Sequence, residues 1–204
     1  MAFKQHEIEA IAHFLPDGTA EDVIAYMHEY KIHLKVQRDR KSILGNYRPA
    51  HQHLPHRISI NASLNKYHFL ITLIHELAHL INHLQYQNKV APHGAEWKSI
   101  FAQLLQKFIA KKVFPSDIEN ALHESMRSLA ASTCSDPKLF RVLHQYDTST
   151  RGIMIEQLQI GDLFQIENGR VFKLLLKRRT RYECEEIKTG KKYLFPGIYE
   201  VSKE

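Results

Sequence analysis

Residues 72–83 read TLIHELAHLINH, and the reading of this stretch decides both the fold and the chemistry. His75, His79 and His83 recur every four residues, and Glu76 falls inside the first interval. Around them Phe69, Leu70, Leu73, Ile74, Leu77, Leu80, Ile81 and Leu84 cover more than half of a helix circumference. A long helix from about Leu64 to Tyr86 is therefore expected, buried on most sides and capped near Asn61 or Ser63. Four helical residues advance ~400°, so His75 and His79 differ by ~40° and lie one turn apart. Both imidazoles then reach a single ion at the ~2.0–2.1 Å of a Zn–N bond. Glu76 stands ~100° from His75 and ~60° from His79, beside the ligand line, where a carboxylate serves as a base.

The competing reading makes these histidines packing residues in a helix interface. Burying three polar groups in an apolar segment without a metal leaves costly unpaired atoms, which favours the zinc reading. A catalytic zinc takes three protein ligands and keeps one open position. His83 lies ~12 Å along the axis from His75, too far to share one ion. The longer metzincin pattern requires glycine at position 82 and histidine at 85, where this chain has Asn82 and Gln85. Pro92-His93-Gly94 fits better: a loop histidine fourteen residues after His79, just before a helix of about Ala95 to Lys111. Glu96 competes with His93 for the third position, by the pattern of zinc proteases that use a glutamate.

The rest of the chain gives these residues a setting. At 204 residues it can form one large domain or two small ones. The segment MAFKQHEIEAIAHF has scattered charges, and no apolar run reaches the ~18 residues of a membrane span. A cytoplasmic protein without a membrane partner is expected. Cys134 and Cys184 are too few for a disulfide framework, and without a CxxC pair there is no four-cysteine zinc site.

Residues 3–15 and 19–30 read as short helices around Pro16-Asp17-Gly18, with Thr19 and Asp22 as a capping box. KIHLKV (31–36) and RISIN (57–61) are strand candidates, and SILGNY between them is a third. Pro115-Ser116-Asp117 starts another helix, to about residue 130. SLAASTCSDPK (128–138) turns small and polar, which marks a boundary, with a short connecting helix at 137–147. From Gln159 the pattern becomes strands: DLFQI, VFKLLLKRR, RYECEEI and KKYLF, joined by Asn168-Gly169 and Thr189-Gly190 turns. The expected organisation is a domain at 1–130, a linker at 131–150 and a small basic β-rich domain at 151–204.

TLIHELAHLINHL followed by PHGAEWKSIFAQLL resembles the SprT-like metalloproteases, which include the Spartan proteases of DNA–protein crosslink repair. The resemblance rests on HExxH on a helix, a third histidine in H-G-x-x-W/F, and the upstream segment LGNYRPAHQHLPHRISIN. It covers about Lys31 to Leu105. It implies an α+β fold, in which a helical zincin-like metalloprotease domain with a small sheet of about three strands precedes a small antiparallel β unit. It also implies His75, His79 and His93 as zinc ligands, Glu76 as catalytic base, and a protein substrate. Family members with this body often end in a zinc ribbon of paired cysteines. With one cysteine at each place, the tail here resembles a metal-free relative of that ribbon.

The charge distribution suggests a second partner. Between Arg170 and Lys192 stand nine Lys or Arg and three acids, so this segment holds the entire net charge of +6. Lys173, Lys177, Arg178, Arg179, Arg181, Lys191 and Lys192 are candidate phosphate contacts, interleaved with Phe172, Tyr182 and Tyr193 as candidate stacking surfaces. The bland alternative is a solvated basic face whose aromatics hold a small core. DNA, single-stranded or crosslinked to protein, is the expected acidic partner, a reading the resemblance supports. Two function classes follow: a zinc peptidase acting on DNA-associated proteins, or a non-catalytic nucleic-acid-binding protein with a structural zinc. Glu76 favours the enzyme, since a structural site has no use for it. The oxyanion-stabilising group is open, with Tyr47, His51, His53 and His68 as neighbours in sequence. Cleavage preference, DNA dependence and oligomeric state are not written in these residues.

Overall fold

The computed structural model describes residues 4–38, 40, 43–87, 89–127, 136–148 and 152–203. It is a mixed α+β structure of two compact units, Met1–Tyr146 and Asp147–Glu204. Each has its own apolar core. Cys134 lies outside the described residues.

The first unit opens with helices α1 (Gln5–Ala12) and α2 (Ala20–Glu29). Thr19 precedes α2, but its hydroxyl donates back to the Pro16 carbonyl (2.7 Å) and makes no capping bond. The expected capping box is thus absent, because the Pro16-Asp17-Gly18 turn engages the hydroxyl first. Strands β1 (Ile32–Gln37), β2 (Gly45–Arg48) and β3 (His56–Asn61) form a sheet in the order β1-β3-β2. β3 runs parallel to β1 and antiparallel to β2, so β2 is an edge strand. As the middle strand β3 is covered on both faces: Ile58 and Ile60 are fully buried, and Ser59 and Asn61 nearly so. Arg40 ties the segment before β2 to this strand through Ser59 and Asn61.

Helix α3 (Lys66–Tyr86) packs across β2 and β3 and against α4 (Ala95–Ala110). Its cap is Asn65, whose side chain accepts from the Tyr67 and His68 amides (3.1 and 3.0 Å). The cap falls later than Asn61 or Ser63 because Asn61 is a β3 residue whose side-chain amide donates to Ile43. From Phe69 to Ala78 every α3 residue is buried. Trp97, Phe101, Leu104, Leu105 and Phe108 line the facing side of α4. Helices α5 (Ser116–Arg127) and α6 (Pro137–His144) complete the unit, with Leu139 and Leu143 of α6 in the first core.

The second unit is a six-stranded antiparallel sheet. Its strands are β4 (Ile153–Met154), β5 (Leu163–Gln165), β6 (Val171–Lys177), β7 (Arg181–Glu186), β8 (Lys192–Pro196) and β9 (Glu200–Lys203). The order is β4-β9-β5-β6-β7-β8. The β5–β6 and β7–β8 turns need the positive φ of Gly169 (82°) and Gly190 (66°), as their Asn-Gly and Thr-Gly pairs suggest. β4 and β9 have no counterpart in the sequence expectations: one is two residues long, and the other alternates too briefly to show a period.

Candidate metal centre

Helix α3 presents His75 and His79 one turn apart, and the loop before α4 brings in His93. Their Nε2 atoms converge: His75 and His79 are 3.1 Å apart, and His75 and His93 are 3.4 Å apart. Two nitrogens each ~2.0–2.1 Å from a tetrahedral ion stand roughly 3.3–3.4 Å from one another, so the spacing suits one zinc. Burial grades across the set, with His75 buried, His79 intermediate and His93 exposed, so the site opens on the His93 side. His83 and Glu96 do not join this cluster among the described residues.

The electrostatics agree with the donor set. Burial, with His79 and His93 nearby, pushes the His75 imidazole down to about 3. Burial and His93 push His79 down to about 4, while burial and then Lys98 lower His93. All three are therefore neutral at pH 7 and offer lone pairs, the form a metal requires. Among the described residues His75 Nδ1 has no hydrogen-bond partner, and no carboxylate there orients that ring. Trp97 does so by packing: its ring centroid lies 4.7 Å from His75, 5.2 Å from His79 and 4.8 Å from His93.

Glu76 is buried beside the histidines rather than among them. Burial raises its carboxyl to about 7, against the opposing pull of a Tyr47 backbone hydrogen bond and the Arg40 charge. Edge strand β2 holds it from two positions. Tyr47 supplies the main-chain contact, and Gly45 supplies space: a Cβ there would stand 2.7 Å from Glu76 Oε1 and from Thr72 Cγ2. Gly45 is a residue that sequence reasoning missed. Its only local cue is a glycine in a strand, which often marks close approach of another element.

A cleft of about 450 Å³ opens over the centre, lined by β2, by α3 from His75 to His83, and by Gln87, Val90 and Pro92. Of the four sequence neighbours Tyr47, His51, His53 and His68, Tyr47 lines it. His51 and His53 are exposed on the turn after β2, and His68 is buried against Phe140. The Tyr47 hydroxyl lies 2.9 Å from His56 Nδ1, which also accepts from the Ala50 amide (3.1 Å). That nitrogen carries no proton while Ala50 donates to it, so the Tyr47 hydroxyl donates and its oxygen is left as an acceptor.

With this geometry described, comparison with known proteins becomes informative. A family model described as the SprT-like family matches residues 20–120. Over that span the chain belongs to the SprT-like family. The match runs from the start of α2 into α5, and so contains the three histidines, Glu76 and Gly45 of this SprT-like domain. No match is found among curated proteins or among solved structures.

The seven C-terminal cations expected to meet phosphate are all exposed on the second unit. Arg178 and Lys192 both pair with the buried Glu183, and Lys177 lies over the Tyr182 ring (5.6 Å). Phe172 and Tyr182 are buried, and Tyr193 is half-buried against the same core. Cys184 is buried there too, where burial and Glu183 push its thiol up to about 12.

Proposed function

We propose that this SprT-like protein is a zinc-dependent peptidase of zincin-like architecture. The observation that carries the reading is the joint placement of three neutral histidines, a buried Glu76 beside them, and a cleft that reaches both. His75, His79 and His93 would hold the ion. Bound there, zinc would act as a Lewis acid, polarising the scissile carbonyl and making water acidic near neutral pH. Glu76 takes the proton of the attacking water and returns it to the leaving amine, and the burial that raises its carboxyl favours that uptake. β2, as an edge strand beside the cleft, offers main-chain groups to an extended polypeptide.

The open cleft weighs against a purely structural zinc, which is ordinarily closed by four protein ligands. No helix among the described residues is long and apolar enough to cross a membrane. The exposed cations of the second unit support DNA as a partner, through backbone phosphates rather than base stacking. Under this reading the substrates are proteins held near DNA.

Metal analysis combined with cleavage of an unfolded protein tests the proposal, with and without single-stranded DNA. Wild type should bind one zinc per chain and cleave. His93→Ala should lose zinc. Glu76→Gln should keep zinc and lose ~10²–10⁴-fold in kcat. A zinc-loaded Glu76→Gln with unchanged cleavage overturns the role of Glu76, and a wild type without zinc overturns the whole reading.

A further inference from the structure

The three-stranded sheet of the first unit has a second face that the candidate metal centre does not use. Gly45 stands against Glu76 of α3, and Tyr47 and the fully buried Ile58 share its side of the sheet. Side chains alternate along a strand, so the neighbouring Arg48 and Arg57 belong to the opposite face. Strand register sets these two residues directly opposite one another, with His33 of β1 beside Arg57 in the same row. Lys35 follows two residues further along β1 on that face. His33, Lys35 and Arg48 are exposed, and Arg57 is half-buried.

Exposure to water alone does not account for this row. Like charges directly opposite on neighbouring strands destabilise a sheet, whereas opposite charges there stabilise it. Among the described residues no hydrogen bond or ion pair engages the side chains of Lys35, Arg48 or Arg57. From Arg40 to His75 the sequence contains no Asp or Glu. In the second unit, by contrast, Arg170, Arg178 and Lys192 are tied to Glu186 and Glu183. A count of net charge misses the patch on the first unit, because the acids that balance it lie mostly on the helices.

The same face selects what can cover it. Its outward positions continue with Gln37 and Asn46, so it offers neither apolar surface nor an aromatic ring for stacking. Adjacent strands lie ~4.8 Å apart, so the row from His33 to Arg48 spans roughly 10 Å. A nucleic-acid duplex presents one charge per ~1.7 Å of its axis, whereas even a fully acidic extended peptide presents one per ~3.3 Å. Guanidinium groups hold phosphate through paired hydrogen bonds, and an imidazole adds one N–H donor. We infer that the outer face of the β1-β3-β2 sheet binds the phosphate backbone of a nucleic-acid duplex, centred on Arg48 and Arg57 and flanked by Lys35 and His33. Binding here is independent of base sequence and needs neither zinc nor peptide cleavage.

The test follows a fluorescein-labelled DNA duplex of ~20 base pairs by anisotropy, with the full chain, between ~50 and ~200 mM salt. Arg48→Gln combined with Arg57→Gln should weaken binding at least about tenfold at the lowest salt. It should also reduce the slope of log affinity against log salt by about 2. Its Tm should equal that of wild type or rise by ~1–3 °C, since opposed like charges are removed. Arg48→Lys combined with Arg57→Lys should keep most of the affinity, which separates charge from shape. The glutamine loss should recur in a chain already carrying Lys173→Gln, Arg179→Gln and Lys191→Gln, which assigns it to the first unit. Unchanged affinity and slope in the glutamine variant overturn the inference, and so does a loss that vanishes in that background. A lysine variant as weak as the glutamine one, or a glutamine Tm lowered by several degrees, overturns it too. Poly-glutamate and phosphatidylserine vesicles are the competing probes. If either binds wild type as tightly as the duplex and loses as much in the glutamine variant, the occupant is an acidic polypeptide or a lipid surface and the inference fails. A chain that binds the duplex through Arg48 and Arg57 but never cleaves protein overturns the peptidase reading alone.

Discussion

The buried side-chain polar atoms without partners belong, among the described residues, to Thr72, His75, Asn82 and Trp97. His75 and Trp97 belong to the histidine cluster and Thr72 packs with Glu76 against Gly45, so most of this unpaired polarity gathers at the candidate site. Glu76 belongs to the same pattern. Its carboxyl is raised from 4.5 to about 7 by burial. The unfolded chain releases that proton near 4.5 and the fold holds it to about 7, so the metal-free fold loses stability as pH rises through this interval. Metal-free Glu76→Gln should therefore match wild type at pH 4 and exceed it by roughly 3 kcal/mol at pH 8, a difference that urea titrations at the two pH values would measure. Zinc should narrow the gap by stabilising the ionised carboxylate. Gly45→Ala makes the complementary case: its Cβ must displace Glu76 Oε1 and Thr72 Cγ2. A loss of about 1–3 kcal/mol in stability, and at least about tenfold in kcat with zinc retained, is expected from melting curves and steady-state rates. His75, Glu76 and His79 were legible because their relation is one of helical spacing. Gly45 was not, because its reason is a side chain thirty residues away.

At the scale of elements, α3 and α4 form the site as a pair. α3 alone supplies two ligands and the base, while α4 brings His93 at its entry and Trp97 in its first turn. Trp97 is the only tryptophan in the chain, and its ring lies within about 5 Å of all three ligand rings. Its emission should therefore change when zinc is added to metal-free protein and return on chelation. Trp97→Ala should destabilise the first unit by about 3–5 kcal/mol. Trp97→Phe should keep the fold and weaken zinc retention. A zinc titration that leaves Trp97 emission unmoved would contradict the placement of the ion. The long α3 and the α4 histidine were readable from periodicity and loop length. The Asn65 cap was not, since three polar residues compete there and the sheet claims Asn61.

The whole molecule has two cores, and its charge belongs to one of them. Of the three acids in the basic segment, Glu183 and Glu186 are buried and hold Arg178, Lys192 and Arg170. Hydrogen bonds from Arg170 and then Thr189 draw Glu186 down to about 2, and Arg178 and Lys192 lower Glu183. Both folded values lie below the unfolded ones, so this stability is complete above about pH 4.5 and disappears as pH falls toward 2. The β6 and β7 amide signals of the full chain should therefore melt in acid over that range. Glu186→Gln should weaken these strands at pH 7 and flatten the acid dependence. A count of formal charge gave the size of the basic surface but not its internal ties, because ion pairing depends on which residues strand register brings opposite one another. For the same reason the outward or inward direction of Phe172, Tyr182 and Tyr193 was open in sequence and is decided by the sheet. What the sequence by itself determined is local: helical spacing of His75, Glu76 and His79, strand alternation, and glycine turns, all written within a few residues. The tertiary structure alone decided the convergence of His93, the room at Gly45, the packing of Trp97 and the unpartnered Asn82. Those depend on contacts between segments far apart in the chain, for which neighbouring residues carry no periodic signal.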